Sequence, residues 1–145
     1  MDEKVKVSCP QCGATNNYPT AAAGRSVVCG RCKSVLPSPG TVLEVSEQQA
    51  ATLVQQAGLP VLIDFYSHTC MPCRMMHPVV EGLAKRRAGE VTVLKVNTDE
   101  NPELASAFRI RAVPTFVVVK KGVEMGRTSG AMSEMDFSLW VASKT

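Results

Sequence analysis

Six cysteines fall into three C-x-x-C pairs, Cys9/Cys12, Cys29/Cys32 and Cys70/Cys73. Two residues between cysteines suit either a disulfide or a pair of thiolates on one metal ion. The first two pairs read together as C-x2-C-x16-C-x2-C, the spacing of a two-knuckle, four-cysteine zinc site. Gly13 and Gly30 allow the knuckle turns, and Val5, Val7, Val27, Val28 and Val35 supply short strands around the metal. A stretch of about forty residues with so few large apolar side chains needs a staple of this kind to fold. One zinc ion on Cys9, Cys12, Cys29 and Cys32 would be structural, because a closed four-thiolate shell leaves no position for a substrate. Two structural disulfides are the alternative, which a reducing compartment disfavours.

The third pair has a different setting. Cys70 and Cys73 follow an apolar, β-branched run, Val61 to Tyr66. They precede Met75, Met76, Val79, Val80 and Leu83 at near-helical spacing. A strand that enters a helix through C-x-x-C puts the first sulfur among unpaired backbone N–H groups and the positive end of the helix dipole, which favour a thiolate. Cys70 is therefore the expected nucleophile. Cys73, one turn further in beyond Pro72, is the sheltered resolving thiol. Half of a second metal site is the alternative, but no further ligand pair is left to complete it.

These residues need a scaffold, and the rest of the chain describes one. Pro37-Ser38-Pro39-Gly40 reads as a linker, so a zinc ribbon over 1–38 is expected to precede a second domain over 39–145. A strand over 41–45 leads to a helix opened by a Ser46/Gln49 capping box and closed at Gly58. The helix after Cys70 should kink at Pro78 and end near Ala88-Gly89. A strand over 91–96 and a short helix from Asn101-Pro102 to Phe108 follow. Strands over 115–119 and 123–127 flank the turn signal Lys120-Lys121-Gly122, and a helix over 133–143 closes the chain. The fold class is α/β, with a central mixed sheet flanked by helices.

Composition excludes several classes. At 145 residues with 45% hydrophobic and 20% charged content, the chain suits one real core plus an appendage. Its longest apolar runs, Leu59 to Ile63 and Val113 to Val119, fall far short of the roughly 18 residues of a membrane helix. The start, Met1-Asp2-Glu3-Lys4, carries no export signal, and a cytoplasmic protein is expected. The formal charge of +3 becomes nearly neutral once four thiolates hold a divalent metal. The net positive charge lies in 1–40, with five basic and two acidic residues against eleven of each in 41–145, yet Tyr18 is the lone aromatic there, so nucleic-acid binding has little support.

Val61-Leu62-Ile63-Asp64-Phe65-Tyr66 followed by Cys70-Met71-Pro72-Cys73-Arg74-Met75 resembles the strand and active-site helix of the thioredoxin family. Pro78, Lys95-Val96-Asn97-Thr98-Asp99, Val113-Pro114-Thr115 and Gly130 continue the likeness over residues 41 to 145. With the cysteine-rich start, the chain resembles the zinc-ribbon-bearing second type of bacterial thioredoxin. The resemblance implies a thioredoxin fold and protein-disulfide reduction. Cys70 would attack a substrate disulfide and Cys73 would release the product. It also implies that Asp64 is a buried proton acceptor behind Cys73, with Lys95 as its electrostatic neighbour. Substrate would meet Thr69, Met71, Pro72, Val113, a cis Pro114 and Gly130. Partners would be disulfide-containing proteins and an NADPH-dependent thioredoxin reductase, since the chain has no dinucleotide fingerprint of its own. Family members usually carry tryptophan and glycine on either side of the first cysteine, where this chain has Thr69 and Met71, and Tyr66 replaces another common tryptophan.

Plainer roles weigh against some of these assignments. Asp64 could be satisfied by a nearby backbone group, and Lys95 could be a solvated strand end. Of Met71, Met75 and Met76, only Met71 is expected at the surface. Lys85-Arg86-Arg87 suits a solvated helix end. His68 and His77 could each serve as an acid–base group, although ordinary side-chain roles weigh more. The rival functions are a disulfide oxidase or isomerase, and a redox-regulated, zinc-dependent binding or holdase module.

Overall fold

A computed structural model describes residues 4–9, 11–19, 27–36, 41–56 and 59–145. The expected linker at 37–40 and the helix end at Gly58 lie outside the described residues.

Four short strands come first: β1 (Lys4–Ser8), β2 (Thr15–Pro19), β3 (Val27–Val28) and β4 (Val35–Leu36). They form two antiparallel ladders, β1 with β2 and β3 with β4. The valines indicated three of these strands; β2, which reads Thr-Asn-Asn-Tyr-Pro, carries no apolar signal and is supplied by pairing with β1.

The remaining elements alternate as β5 (Val42–Glu44), α1 (Glu47–Gln56), β6 (Val61–Tyr66), α2 (Met71–Arg86), β7 (Thr92–Asn97), α3 (Pro102–Ala107), β8 (Thr115–Lys120), β9 (Val123–Ser129) and α4 (Glu134–Lys144). Five strands make one sheet in the order β5-β7-β6-β8-β9. The first three neighbours are parallel, whereas β8 and β9 run antiparallel, as a turn at Lys121-Gly122 requires. The mixed sheet expected from the chain is therefore the sheet observed.

Local signals set the helix starts. The Ser46 N–H donates to Gln49 Oε1 at 3.0 Å while the Gln49 N–H donates to Ser46 Oγ at 3.5 Å, the reciprocal capping box. Ser133 Oγ accepts the Asp136 N–H at 3.1 Å and opens α4. Helix α2 continues through Pro78 to Arg86.

The two sheet faces carry separate cores. Ile63, Phe65, Leu94, Val96 and Val117 pack on one side with Ala50 and Leu53 of α1 and Leu104 of α3. Leu62, Val93, Phe116 and Val118 pack on the other with Met76, Val80 and Leu83 of α2 and Phe137 and Val141 of α4. All six residues of β6 are buried, because helices cover both of its faces. Arg86 is exposed, as a solvated helix end should be, and from the surface it also reaches α4, donating to Glu134 Oε1 at 2.6 Å and Ser138 Oγ at 2.8 Å.

Candidate active site and metal centre

Strand β6 ends at Tyr66, and the chain turns through Ser67-His68-Thr69 before α2 begins. Ser67 Oγ donates to Asp99 Oδ2 at 2.8 Å and lies 3.1 Å from Thr69 Oγ1. Asp99 is held in turn by Asn97, whose Oδ1 accepts the Asp99 N–H at 2.9 Å. Arg74 closes the turn from the helix side by donating to the His68 carbonyl at 2.9 Å. Ser67 and Asp99 had no sequence signal as a pair, since 32 residues separate them.

Cys70 is the N-cap of α2 and is joined to Cys73 by a disulfide, with the Cα atoms 5.2 Å apart. Cys70 Sγ accepts the Cys73 backbone N–H at 3.1 Å. One of the helix's unpaired donors thus points at the first sulfur, where it favours negative charge after reduction. Cys70 is half-buried while Cys73 is 2% exposed. The outer sulfur is reachable and the inner one is sheltered.

The Val113–Pro114 peptide bond is cis, and the Val113 carbonyl oxygen lies 3.5 Å from Cys70 Sγ. The Gly130 N–H donates to the Pro114 carbonyl at 2.9 Å and pins this loop to the end of β9. Gly130 has φ +90, a backbone conformation that other residues rarely adopt. Val113, Pro114 and Gly130 are thus brought to the disulfide. Thr69, Met71 and Pro72 are exposed around it. Met75, expected to pack inward, is 62% exposed, as Met71 is at 63%, whereas Met76 is buried.

Asp64 lies on the sheet face that α2 covers, 1% exposed, and its Oδ1 has no hydrogen-bond partner among the described residues. Burial pushes its carboxyl up to about 7, against the pull of the Lys95 ammonium. Lys95 stands beside Asp64 in the β6–β7 register and beside Glu44 in the β5–β7 register. Glu44, Lys95 and Asp64 therefore form one row across three strands, lining a cavity of about 170 Å³ with His77 and Glu81. Among the described residues the Asp64 Oδ1 atom has no hydrogen-bond partner, and Lys95 is half-buried.

The other cysteines form a separate cluster. The sulfurs of Cys9, Cys12, Cys29 and Cys32 all lie within 4.8 Å of one another, with Cys9–Cys32 at 3.5 Å and Cys12–Cys29 at 3.6 Å. A tetrahedral zinc with bonds of about 2.3 Å wants sulfurs about 3.8 Å apart, so the set fits that ion. Each pair makes the same turn. The Gln11 N–H donates to Cys9 Sγ and the Arg31 N–H to Cys29 Sγ, both at 3.4 Å. The Cys32 backbone N–H, helped by the Asn16 amide, holds the Cys29 thiol down at about 6. Leu36 packs on the buried Cys9 and Cys29.

The second knuckle differs from expectation in one respect. Gly13 supplies the left-handed turn of the first at φ +78, but the matching position of the second is Lys33, at φ 67, and not Gly30. Gly30 instead donates its N–H to Asn16 Oδ1 at 2.9 Å. Among the described residues no helix is long and apolar enough to cross a membrane.

The family model named thioredoxin matches residues 41–143. Thioredoxin C-3 of Corynebacterium nephridii is 35% identical over 135 residues, covering 93% of this chain and 92% of that protein. Thioredoxin 1 of a Nostoc species is 39% identical over 95 residues, 66% of this chain and 89% of that protein. Among solved structures, a mutant thioredoxin from Halobacterium salinarum superposes with a TM-score of 0.68 at 37% identity, over 74% of this chain and 94% of that one. With the disulfide at the mouth of α2 and the cis-proline loop against it, the chain belongs to the thioredoxin family and is a thioredoxin-type disulfide oxidoreductase.

Proposed function

We propose that this protein reduces disulfide bonds in other proteins. The observation that carries the proposal is the Cys73 N–H aimed at a half-exposed Cys70 sulfur while Cys73 stays buried. The Cys70 thiolate attacks one sulfur of the substrate disulfide, forming a mixed disulfide and expelling the other as a thiolate. Asp64 takes the Cys73 proton, Cys73 attacks Cys70 Sγ, and the second substrate thiolate leaves. Two electrons pass from the dithiol to the substrate. Lys95 steadies the charge on Asp64, and Thr69, Met71, Pro72, Val113, Pro114 and Gly130 form the face that receives the substrate.

A reductase partner must return the electrons, and we assign that role to an NADPH-dependent thioredoxin reductase, in the cytoplasm. Residues 1–38 form a zinc ribbon and residues 39–145 the catalytic domain. Cys9, Cys12, Cys29 and Cys32 would hold one structural zinc, whose contribution is to tie the two knuckles together.

The test is a Cys73→Ser variant, which should accumulate a mixed disulfide through Cys70, together with equilibration of the wild type against glutathione. Trapping through any other cysteine, or a potential near the roughly −120 mV of strong oxidants, overturns the proposal.

A further inference from the structure

The cavity that opens onto Asp64 is lined by three ionisable groups with no place in the exchange steps above, Glu44, Glu81 and His77. His77, on the second turn of α2, is half-buried and lines the cavity with Glu44, Glu81, Lys95 and Asp64. Its Nε2 lies 3.4 Å from Lys95 Nζ. A lysine ammonium offers only donors, so the imidazole nitrogen facing it is the acceptor and the ring proton sits on Nδ1. The same ammonium stands 4.5 Å from the centre of the Tyr66 ring. The Tyr66 hydroxyl donates to Glu44. These groups do not converge as metal ligands, which among the described residues only the four cysteines do.

We propose that His77 is a positioning residue of the redox centre: its imidazole takes the Lys95 hydrogen bond and so keeps that cation off the buried Asp64 side chain. Lys95 and Asp64 are register neighbours on adjacent strands, yet no ion pair joins them among the described residues. Asp64 Oδ1 is left without a partner while the ammonium is shared between the imidazole and the Tyr66 ring. A carboxyl kept apart from its nearest cation stays a proton donor and acceptor; one locked in an ion pair would stay ionised. The groups that face His77 are Lys95 from β7, Tyr66 from the end of β6, His68 from the following turn, and Arg74 and Glu81 from its own helix. Burial and then Lys95 hold His77 below its ordinary range, with Glu81 opposing, so at neutral pH it is the uncharged acceptor.

The inference rests on Asp64 being the proton acceptor, and the experiment separates the two. The Asp64 carboxyl is titrated by NMR in the full-length oxidised protein, in the wild type, His77→Ala and His77→Gln. In His77→Ala the ammonium loses its acceptor. Glu44 and Glu81 are exposed and solvated, whereas the Asp64 oxygen is buried and unpartnered beside Lys95 in the strand register, so Lys95 turns to Asp64. The ratio of carboxylate to acid at neutral pH should rise about tenfold, one pH unit in midpoint. His77→Gln restores an acceptor oxygen and should return the midpoint toward wild type, which lost packing alone would not do. An unmoved midpoint in His77→Ala, or a glutamine variant that behaves like alanine, overturns the proposal. Asp64→Asn serves as the control on the exchange chemistry. If it keeps the wild-type pH profile of mixed-disulfide resolution, the role of Asp64 fails, while the titrations still decide what His77 does.

Discussion

Replacing Asp64 by asparagine removes a buried ionisable group at nearly constant volume, and the consequence for stability can be worked out. The folded protein holds this carboxyl up to about 7 against an ordinary 3.8, because burial penalises the charged form. Between those values the unfolded chain releases the proton and the folded chain keeps it, so stability must fall as pH rises through the window. At roughly 1.4 kcal/mol per pH unit the loss amounts to about 4 kcal/mol by the upper end. Asparagine cannot ionise and escapes that loss, although its buried amide costs about 1–3 kcal/mol at every pH. Below pH 4 the variant should be the less stable of the two, and above pH 7 it should match or exceed the wild type. Urea denaturation of the oxidised protein, followed by circular dichroism and by Trp140 in α4, gives the difference between the two proteins at each pH. Other titrating groups cancel in that difference. A gap that stays constant from acid to alkaline pH would refute the assignment of a protonated Asp64.

Two further outcomes are expected. A chelator applied under non-denaturing, reducing conditions should withdraw the proposed zinc and expose four additional alkylatable thiols, Cys9, Cys12, Cys29 and Cys32, while insulin reduction stays within about twofold; fewer thiols or lost activity would contradict a closed structural site. Gly130→Ala should destabilise by about 1–2 kcal/mol in thermal or denaturant unfolding, because an added Cβ meets nothing within 4 Å and the whole penalty comes from φ +90. Unchanged stability there would mean that the loop relaxes to another conformation.

Much of this protein was legible before its fold, and the reason is that the signals are local. The C-x-x-C spacings, the Ser46/Gln49 box, the apolar run of β6 and the turn at Lys121-Gly122 each act over a few residues, so order along the chain determines them. The family likeness extended this to Asp64, Lys95 and Pro114. Local rules also failed locally: the left-handed knuckle position at Lys33 carries no side-chain signal, and Met75 follows helical spacing yet faces outward.

Tertiary structure alone decided how the groups act on one another. Glu44, Asp64 and Lys95 become a row only because β5 and β6 both pair with β7, and His77 meets Lys95 only because α2 lies over that face. Ser67 finds Asp99 across 32 residues, and the Val113 carbonyl reaches Cys70 across 43. The amino-acid order specified which sulfurs and carboxyls exist and which helix presents them. Their charge state depends on burial and on neighbours from distant strands, and those are properties of the packed sheet that no window of sequence contains.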